Sequence, residues 1–234
     1  ISILNKISAE HEIHCEDNYY LFEDENIIVG AVLDGCSTGI NSHWASQTLQ
    51  YCFKLYEKNY GFNEFITTFS NGWDNDVNYI LYSISCTLNE TKKVLGLEDM
   101  NLLSTIVFFV YNKNTKTLYV KFVGDGAFFY KKENIWYSIE NDENNTPLYL
   151  GYYCNIPEKN LFKFLETRTT YILDEVEEFA ISSDGIFSFK NNKDNDEEIK
   201  IKNPENYLIV DESFIKLKHE LGKKFIGLRN DGWV

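Results

Sequence analysis

The stretch Ile27 to Leu33, IIVGAVL, carries no polar side chain, and it stops at Asp34-Gly35. An uninterrupted apolar run of this length, rich in β-branched residues, reads as a strand buried on both faces. A carboxylate at the end of such a strand sits at the rim of the core. Hard carboxylate oxygens there suit Mg²⁺ or Mn²⁺. The following Cys36-Ser37-Thr38-Gly39 is a run of small residues, so a ligand can approach the backbone. The order of apolar strand, Asp and Gly recurs in LYVKFVGDG, Leu118 to Gly126, and in FAISSDG, Phe179 to Gly185. A further Asp231 stands in RNDGWV. One Asp-Gly after a strand is an ordinary turn. Three such strand ends, with Glu16-Asp17 and Asp231, point to one acidic site.

The neighbouring patterns give these carboxylates a scaffold. YYLFEDENIIVGAVL reads as two strands around an acidic turn at Glu23 to Asn26. A helix follows Gly39, capped by Asn41 or Ser42, with Trp44, Ala45, Thr48, Leu49, Cys52, Phe53 and Tyr56 as its apolar stripe. GFNEFITTF reads as a short helix. DVNYILYSISCTLNETKKVLGL reads as a longer one that stops near Gly96, with Ile80, Leu81, Ile84 and Leu88 on one face. LLSTIVFFVY and TLYVKFV form a hairpin around NKNTK, and AFFYKK and NIWYSI are further strands. Asn141 to Asn145 is a polar loop, and the segment up to Arg168 is read as a candidate flap. TTYILD and EEFAISS are strands, NNKDNDEEIK a solvated loop and ESFIKLKHELGKKF a late helix. WV begins a last strand. Helices grouped between sets of antiparallel strands give an α+β fold with helices covering two packed sheets. No repeat or compositional break divides the chain, so one domain over residues 1–234 is expected, with trimmed ends.

The formal net charge of −14 excludes two partner classes. Nucleic acids and anionic lipid surfaces both call for clustered Lys and Arg. No apolar run approaches the roughly 20 residues of a membrane-spanning helix. The five Cys are scattered without a CxxC pair, which points to reduced thiols and a cytoplasmic protein rather than a disulfide framework or a zinc site.

The ordered motifs resemble those of the metal-dependent protein phosphatases of the PP2C type, in their bacterial form. The matching residues are Cys15-Glu16-Asp17, Val32-Leu33-Asp34-Gly35, Leu103-Ser104-Thr105, Val123-Gly124-Asp125-Gly126, Ile181-Ser182-Ser183-Asp184-Gly185-Ile186 and Asn230-Asp231-Gly232-Trp233. The resemblance spans nearly the whole chain. It implies a four-layer α/β/β/α arrangement, a central antiparallel β-sandwich flanked by helices, with metals at one end of the sandwich.

The same resemblance implies the site. Asp34 would bridge two Mn²⁺ or Mg²⁺ ions, and the Gly35 carbonyl would bind one of them. Asp184 and Asp231 would complete the other. Glu16 and Asp17 would act directly or through bound water, and Asp125 would hold a third, looser ion. Two ions about 4 Å apart lower the pKa of a bridging water, which then attacks a phosphate monoester in line. The implied activity is that of a Ser/Thr phosphoprotein phosphatase, with a phosphorylated protein as substrate and a cognate Ser/Thr kinase as its counterpart. No Cys here has Arg six residues on, and Val32 precedes Asp34 by two, so neither a cysteine nor an Asp-x-Asp nucleophile is at hand. The chain departs from the family in two places. Cys36 to Thr38 stand where the family usually has a Gly pair, and no Arg precedes Arg168 to grip a substrate phosphate. Lys6, His11 or His14 is then the candidate phosphate ligand, a histidine serving when protonated. These departures motivate a second reading, a phosphoprotein-binding or regulatory module without catalysis. A third is a phosphatase acting on a small phosphorylated metabolite.

Overall fold

The computed structural model describes residues 15–36, 43–62, 73–143, 147–189, 203–210 and 220–233. The acidic turn closes the first hairpin as expected: Asp24 Oδ1 accepts the backbone N–H groups of Asn26 and Ile27 at 2.7 and 2.8 Å. The turn joins β1 (Asp17–Glu23) to β2 (Ile27–Gly35). Helix α1 (His43–Tyr60) and helix α2 (Trp73–Leu95) follow. Gly96, with φ +65°, takes the left-handed conformation that ends α2.

Strands β3 (Ser104–Asn112) and β4 (Thr117–Val123) form the second hairpin. Strands β5 (Gly126–Lys132) and β6 (Ile135–Asn141) form the third. Helix α3 (Glu158–Glu166), β7 (Thr170–Leu173) and β8 (Glu178–Ser182) come next. The short helix α4 (Pro204–Ile209) and α5 (Glu220–Asn230) complete the described chain.

The strands build two antiparallel sheets, ordered β1-β2-β3-β4-β7 and β6-β5-β8. Alternation along β2 explains why its whole run is apolar. Ile27, Val29, Ala31 and Leu33 face one core with α1 and α2, where Leu49, Phe53, Ile80 and Ile84 are buried. Ile28 and Val32 face a second core between the sheets, with Val107, Phe122 and Phe128. On the outer side of the smaller sheet, Phe129 meets Phe187 at 6.3 Å, and Phe189 meets Phe225 of α5 at 6.5 Å. The architecture is the expected α+β sandwich flanked by helices.

Some local expectations change. Trp44 is 44% exposed rather than part of the core, while Ser46 takes a buried place on α1. Ala45, Leu49, Cys52, Phe53 and Tyr56 of the stripe are buried as expected, and Trp44 lies at its outer margin. The segment before Arg168 contains α3, with Leu161, Phe164 and Leu165 buried. The late helix runs on to Asn230, and Trp233 takes part in a β-bridge, with Val234, the other residue of the expected last strand, outside the described residues. The caps Asn41 and Ser42, the expected short helix GFNEFITTF beyond its non-helical first residues Gly61 and Phe62, and the loop over 191–200 lie outside the described residues.

Candidate active site

The hairpin register puts Asp17 directly opposite Asp34, and Asp34 opposite Thr105 on the other side. Gly35 N–H donates to the Glu16 carbonyl at 3.1 Å, on the outer side of the Asp17–Asp34 position. Residues 17 and 34 are then a non-hydrogen-bonded pair, in which side chains stand closest. Asp34 has the same parity on β2 as Ile28 and Val32, and so faces the space between the sheets. Asp184 begins the 3₁₀ turn Asp184–Phe187 directly after β8. β8 belongs to the opposite sheet, so the two sheets bring their carboxylates together at one end of the sandwich.

The electrostatics record that convergence. Burial, then the charges of Asp17 and Asp184, a hydrogen bond with Asp184 and the charge of Glu16 push the Asp34 carboxyl up to about 9. Asp17 is also raised. Burial is the largest cause, Asp184 and Glu16 add to it, and hydrogen bonds from Ser183 and Asp34 oppose it. Carboxylates this close cannot all ionise without a cation between them, so they share protons instead.

Asp125 sits in the turn between β4 and β5, preceded by Gly124 at φ +91°. A Cβ on Gly124 would lie 2.9 Å from Thr105 Cγ2, so the turn packs directly on the residue opposite Asp34. The Glu143 backbone N–H donates to Asp125 Oδ1. Asn141 Nδ2 donates to the Gly124 carbonyl at 2.9 Å. Burial raises the Asp125 carboxyl, the Glu143 N–H opposes the rise, and the charges of Asp184, Asp142 and Glu143 add to it. Asp184 thus acts electrostatically on both Asp34 and Asp125.

Sequence reasoning passed over four residues here. Ser183 holds Asp17. Burial raises the Tyr149 hydroxyl, helped by a hydrogen bond with Cys36 and by the charges of Asp34 and Asp125. Glu143 and Arg168 join at 2.8 Å, and Arg168 lies over the Phe164 ring at 4.7 Å. Glu143 Oε2 also accepts the Leu148 N–H at 2.6 Å. The polar loop after β6 therefore fastens the Asp125 turn to the end of α3. Only the adjacency of Ser183 to Asp184 was visible in the sequence.

Asp231 is 6% exposed and directly follows α5, its N–H bonded to the Gly227 and Leu228 carbonyls. The acids with the largest effect on Asp34 are Asp17, Asp184 and Glu16, and Asp231 is not one of them. Lys6, His11 and His14 lie outside the described residues. Among the described residues, no three His, Cys, Asp or Glu side chains stand in a ready metal-ligating arrangement. The donor set nevertheless fits a hard divalent cation: carboxylate oxygens alone, crowded enough to hold protons near neutral pH.

The profile of the protein phosphatase 2C family matches residues 8–206. The chain belongs to the protein phosphatase 2C family. The match ends before Asp231. A search of curated proteins by sequence found no match. Solved structures share the fold. RsbX in complex with magnesium is 16% identical with a TM-score of 0.52, over 97% of this chain and 83% of that one. The serine/threonine phosphatase Stp1 from Staphylococcus aureus is 14% identical with a TM-score of 0.57, over 98% and 88%. The catalytic domain of the serine/threonine protein phosphatase PstP, in complex with two manganese ions, is 12% identical with a TM-score of 0.54, over 99% and 91%. Among the described residues of this family member, no helix is long and apolar enough to cross a membrane.

Proposed function

We propose that the chain is a Mn²⁺- or Mg²⁺-dependent Ser/Thr phosphoprotein phosphatase, a single catalytic domain over residues 1–234. The observation that carries this reading is the convergence of Asp17, Asp34 and Asp184, where burial and the neighbouring acids push the Asp34 carboxyl up to about 9. A cluster that costly in self-repulsion calls for a cation. Asp34 and Asp184 would hold the ions, with the Gly35 carbonyl, Glu16, Asp17 and Asp231 around them and Asp125 offering a further position. Bound divalent ions supply an activated water and neutralise the phosphoryl oxygens.

The chain's own residues do the rest. Opposition across the hairpin fixes Asp17 against Asp34. Ser183 orients Asp17 by donating a hydrogen bond. The Glu143 N–H fixes Asp125. Arg168 is held by Glu143 and Phe164, which leaves phosphate recognition to Lys6, His11 or His14. The substrate in this reading is a phosphorylated protein, with a Ser/Thr kinase as counterpart in the cytoplasm.

Hydrolysis of a phosphoserine peptide tests the proposal. It should require Mn²⁺ or Mg²⁺, stop with EDTA and fall at least 100-fold in Asp34→Asn and Asp184→Asn variants that keep the wild-type circular dichroism. A wild type inactive with every divalent metal would contradict it.

The second reading, a binding module without catalysis, draws on Cys36 to Thr38 standing where the family usually has a Gly pair and on the lack of an Arg before Arg168. Calorimetry separates the two. The enzyme should take up Mn²⁺ with micromolar affinity, and a binding module should bind phosphopeptide without it.

A further inference from the structure

We propose that Tyr149 is a positioning residue for the acidic site: its hydroxyl, bonded to the Cys36 thiol, holds the peptide that carries the Gly35 carbonyl and ties it to the Asp125 turn. The inference rests on the phosphatase reading in one respect, that the Gly35 carbonyl and Asp125 face bound cations. Tyr149 is 9% exposed and directly precedes the 3₁₀ turn Leu150–Tyr153. That turn is pressed against the residues before β3. Leu102 and Leu150 are fully buried, and a Cβ on Gly151 would collide with the Leu102 carbonyl. Only glycine allows so close an approach of two backbones. The ring of Tyr149 therefore enters the site from a firm base.

Cys36 is held from two sides. Its N–H donates to the Leu103 carbonyl at 2.9 Å. Its thiol shares a hydrogen bond with the Tyr149 hydroxyl, on which the charges of Asp34 and Asp125 both act. The peptide between Gly35 and Cys36 is trans and planar. Its N–H points to Leu103, so its carbonyl, that of Gly35, points the opposite way. A glycine at position 36 would be held by its N–H alone. The thiol contact is thus a second hold on the direction of the Gly35 carbonyl, specific to a chain with a side chain at this place.

The residues just before Tyr149 reach the Asp125 turn. Pro147 Cβ lies 3.4 Å from the place a Cβ on Gly124 would take. The Leu148 N–H donates to Glu143 Oε2 at 2.6 Å, and the Glu143 N–H donates to Asp125 Oδ1. Glu143 and residues 147–149 thus link Asp125 to Cys36. A small hard cation demands near-ideal placement of its oxygen ligands. Loosening the link misaligns the Gly35 carbonyl and weakens cation binding without changing the charge of the site.

The test titrates the full chain and its variants with Mn²⁺ by calorimetry. Tyr149→Phe keeps the ring and loses the hydroxyl, and should bind Mn²⁺ about 3- to 10-fold more weakly, the worth of one hydrogen bond. Cys36→Ala should lose as much, Cys36→Ser, which keeps a hydroxyl partner, should retain most of the affinity, and the Tyr149→Phe/Cys36→Ala double variant should be no weaker than either single one. In peptide hydrolysis the Mn²⁺ concentration for half-maximal rate should rise by the same factor, with KM for peptide unchanged. Tyr152, 47% exposed with its ring 5.8 Å from that of Tyr149, supplies the control: Tyr152→Phe should bind Mn²⁺ as the wild type does. Wild-type affinity in Tyr149→Phe, or losses that multiply in the double variant, would overturn the inference and leave the phosphatase reading standing. A wild type that takes up no Mn²⁺ would overturn both. If Tyr149→Phe does not fold, equal affinities in Cys36→Ala and Cys36→Ser would overturn the inference, and a clear advantage of the serine would support it.

Discussion

Asp17 and Asp34 stand opposite each other in a non-hydrogen-bonded pair and share a hydrogen bond between their carboxyls. Two acids in that relation, with Asp184 beside them, hold a proton at pH values where an isolated Asp, near 3.9, has lost it. The cluster is thus a proton-binding site, and in the proposed enzyme a divalent cation would take the proton's place.

Stability of the metal-free chain should therefore fall as pH rises. Below about pH 4 both folded and unfolded chains keep the Asp34 proton. Between there and about 9 the unfolded chain releases it and the folded chain does not. Stability falls over that window, by at most about 1.4 kcal/mol per pH unit for one proton. Asp17 and Asp125 are raised too and act in the same direction. Urea midpoints at pH 6 and pH 8 check this: the midpoint should be lower at pH 8, and Asp34→Asn should flatten the difference. Saturating Mn²⁺ should raise the pH 8 midpoint above the pH 6 metal-free value.

The Arg168–Glu143 pair should act at a distance through Asp125. Both side chains are largely buried, 13% and 21% exposed, and Arg168 Nε is buried without a hydrogen-bond partner among the described residues. Arg168→Met should cost about 2 kcal/mol by stranding the Glu143 carboxylate. It should also raise the Mn²⁺ concentration needed for half-maximal peptide hydrolysis several-fold, with little change in KM for peptide. Arg168→Lys should restore part of the stability but not the stacking on Phe164.

Gly124→Ala should disturb the Asp125 turn more than an ordinary surface change. The position needs φ +91°, and a Cβ there meets Thr105. The expected loss is about 1–2 kcal/mol, read as a lower melting temperature. Gly96→Ala is the control, since a Cβ at that equally left-handed position meets nothing within 4 Å. It should cost less.

Much of this fold was legible because its signals are local. The unbroken apolar run of β2 announced burial on both faces, and Asp34 closed it at the position the parity of the strand carries between the sheets. Asp184 was legible for the same reason. What escaped depends on contacts distant in sequence. The stretch holding Glu143 reads only as a polar loop, and nothing local shows that Glu143 bonds to Asp125, Leu148 and Arg168. Helix α3 spans only nine residues, too few for its apolar period to stand out, although Pro157 and Glu158 mark its start. Trp44 lies one position from the buried Ala45, and only the packing of α1 shows which of the two turns inward.

Anomalous scattering from a Mn²⁺-soaked crystal tests the central claim most directly. The account predicts two strong peaks flanking the Asp34 carboxylate, one of them also touching Asp184, and their loss in Asp34→Asn. A crystal that shows no Mn²⁺ at Asp34, with Asp17 and Asp34 still bonded to each other at a pH near 8, would contradict it.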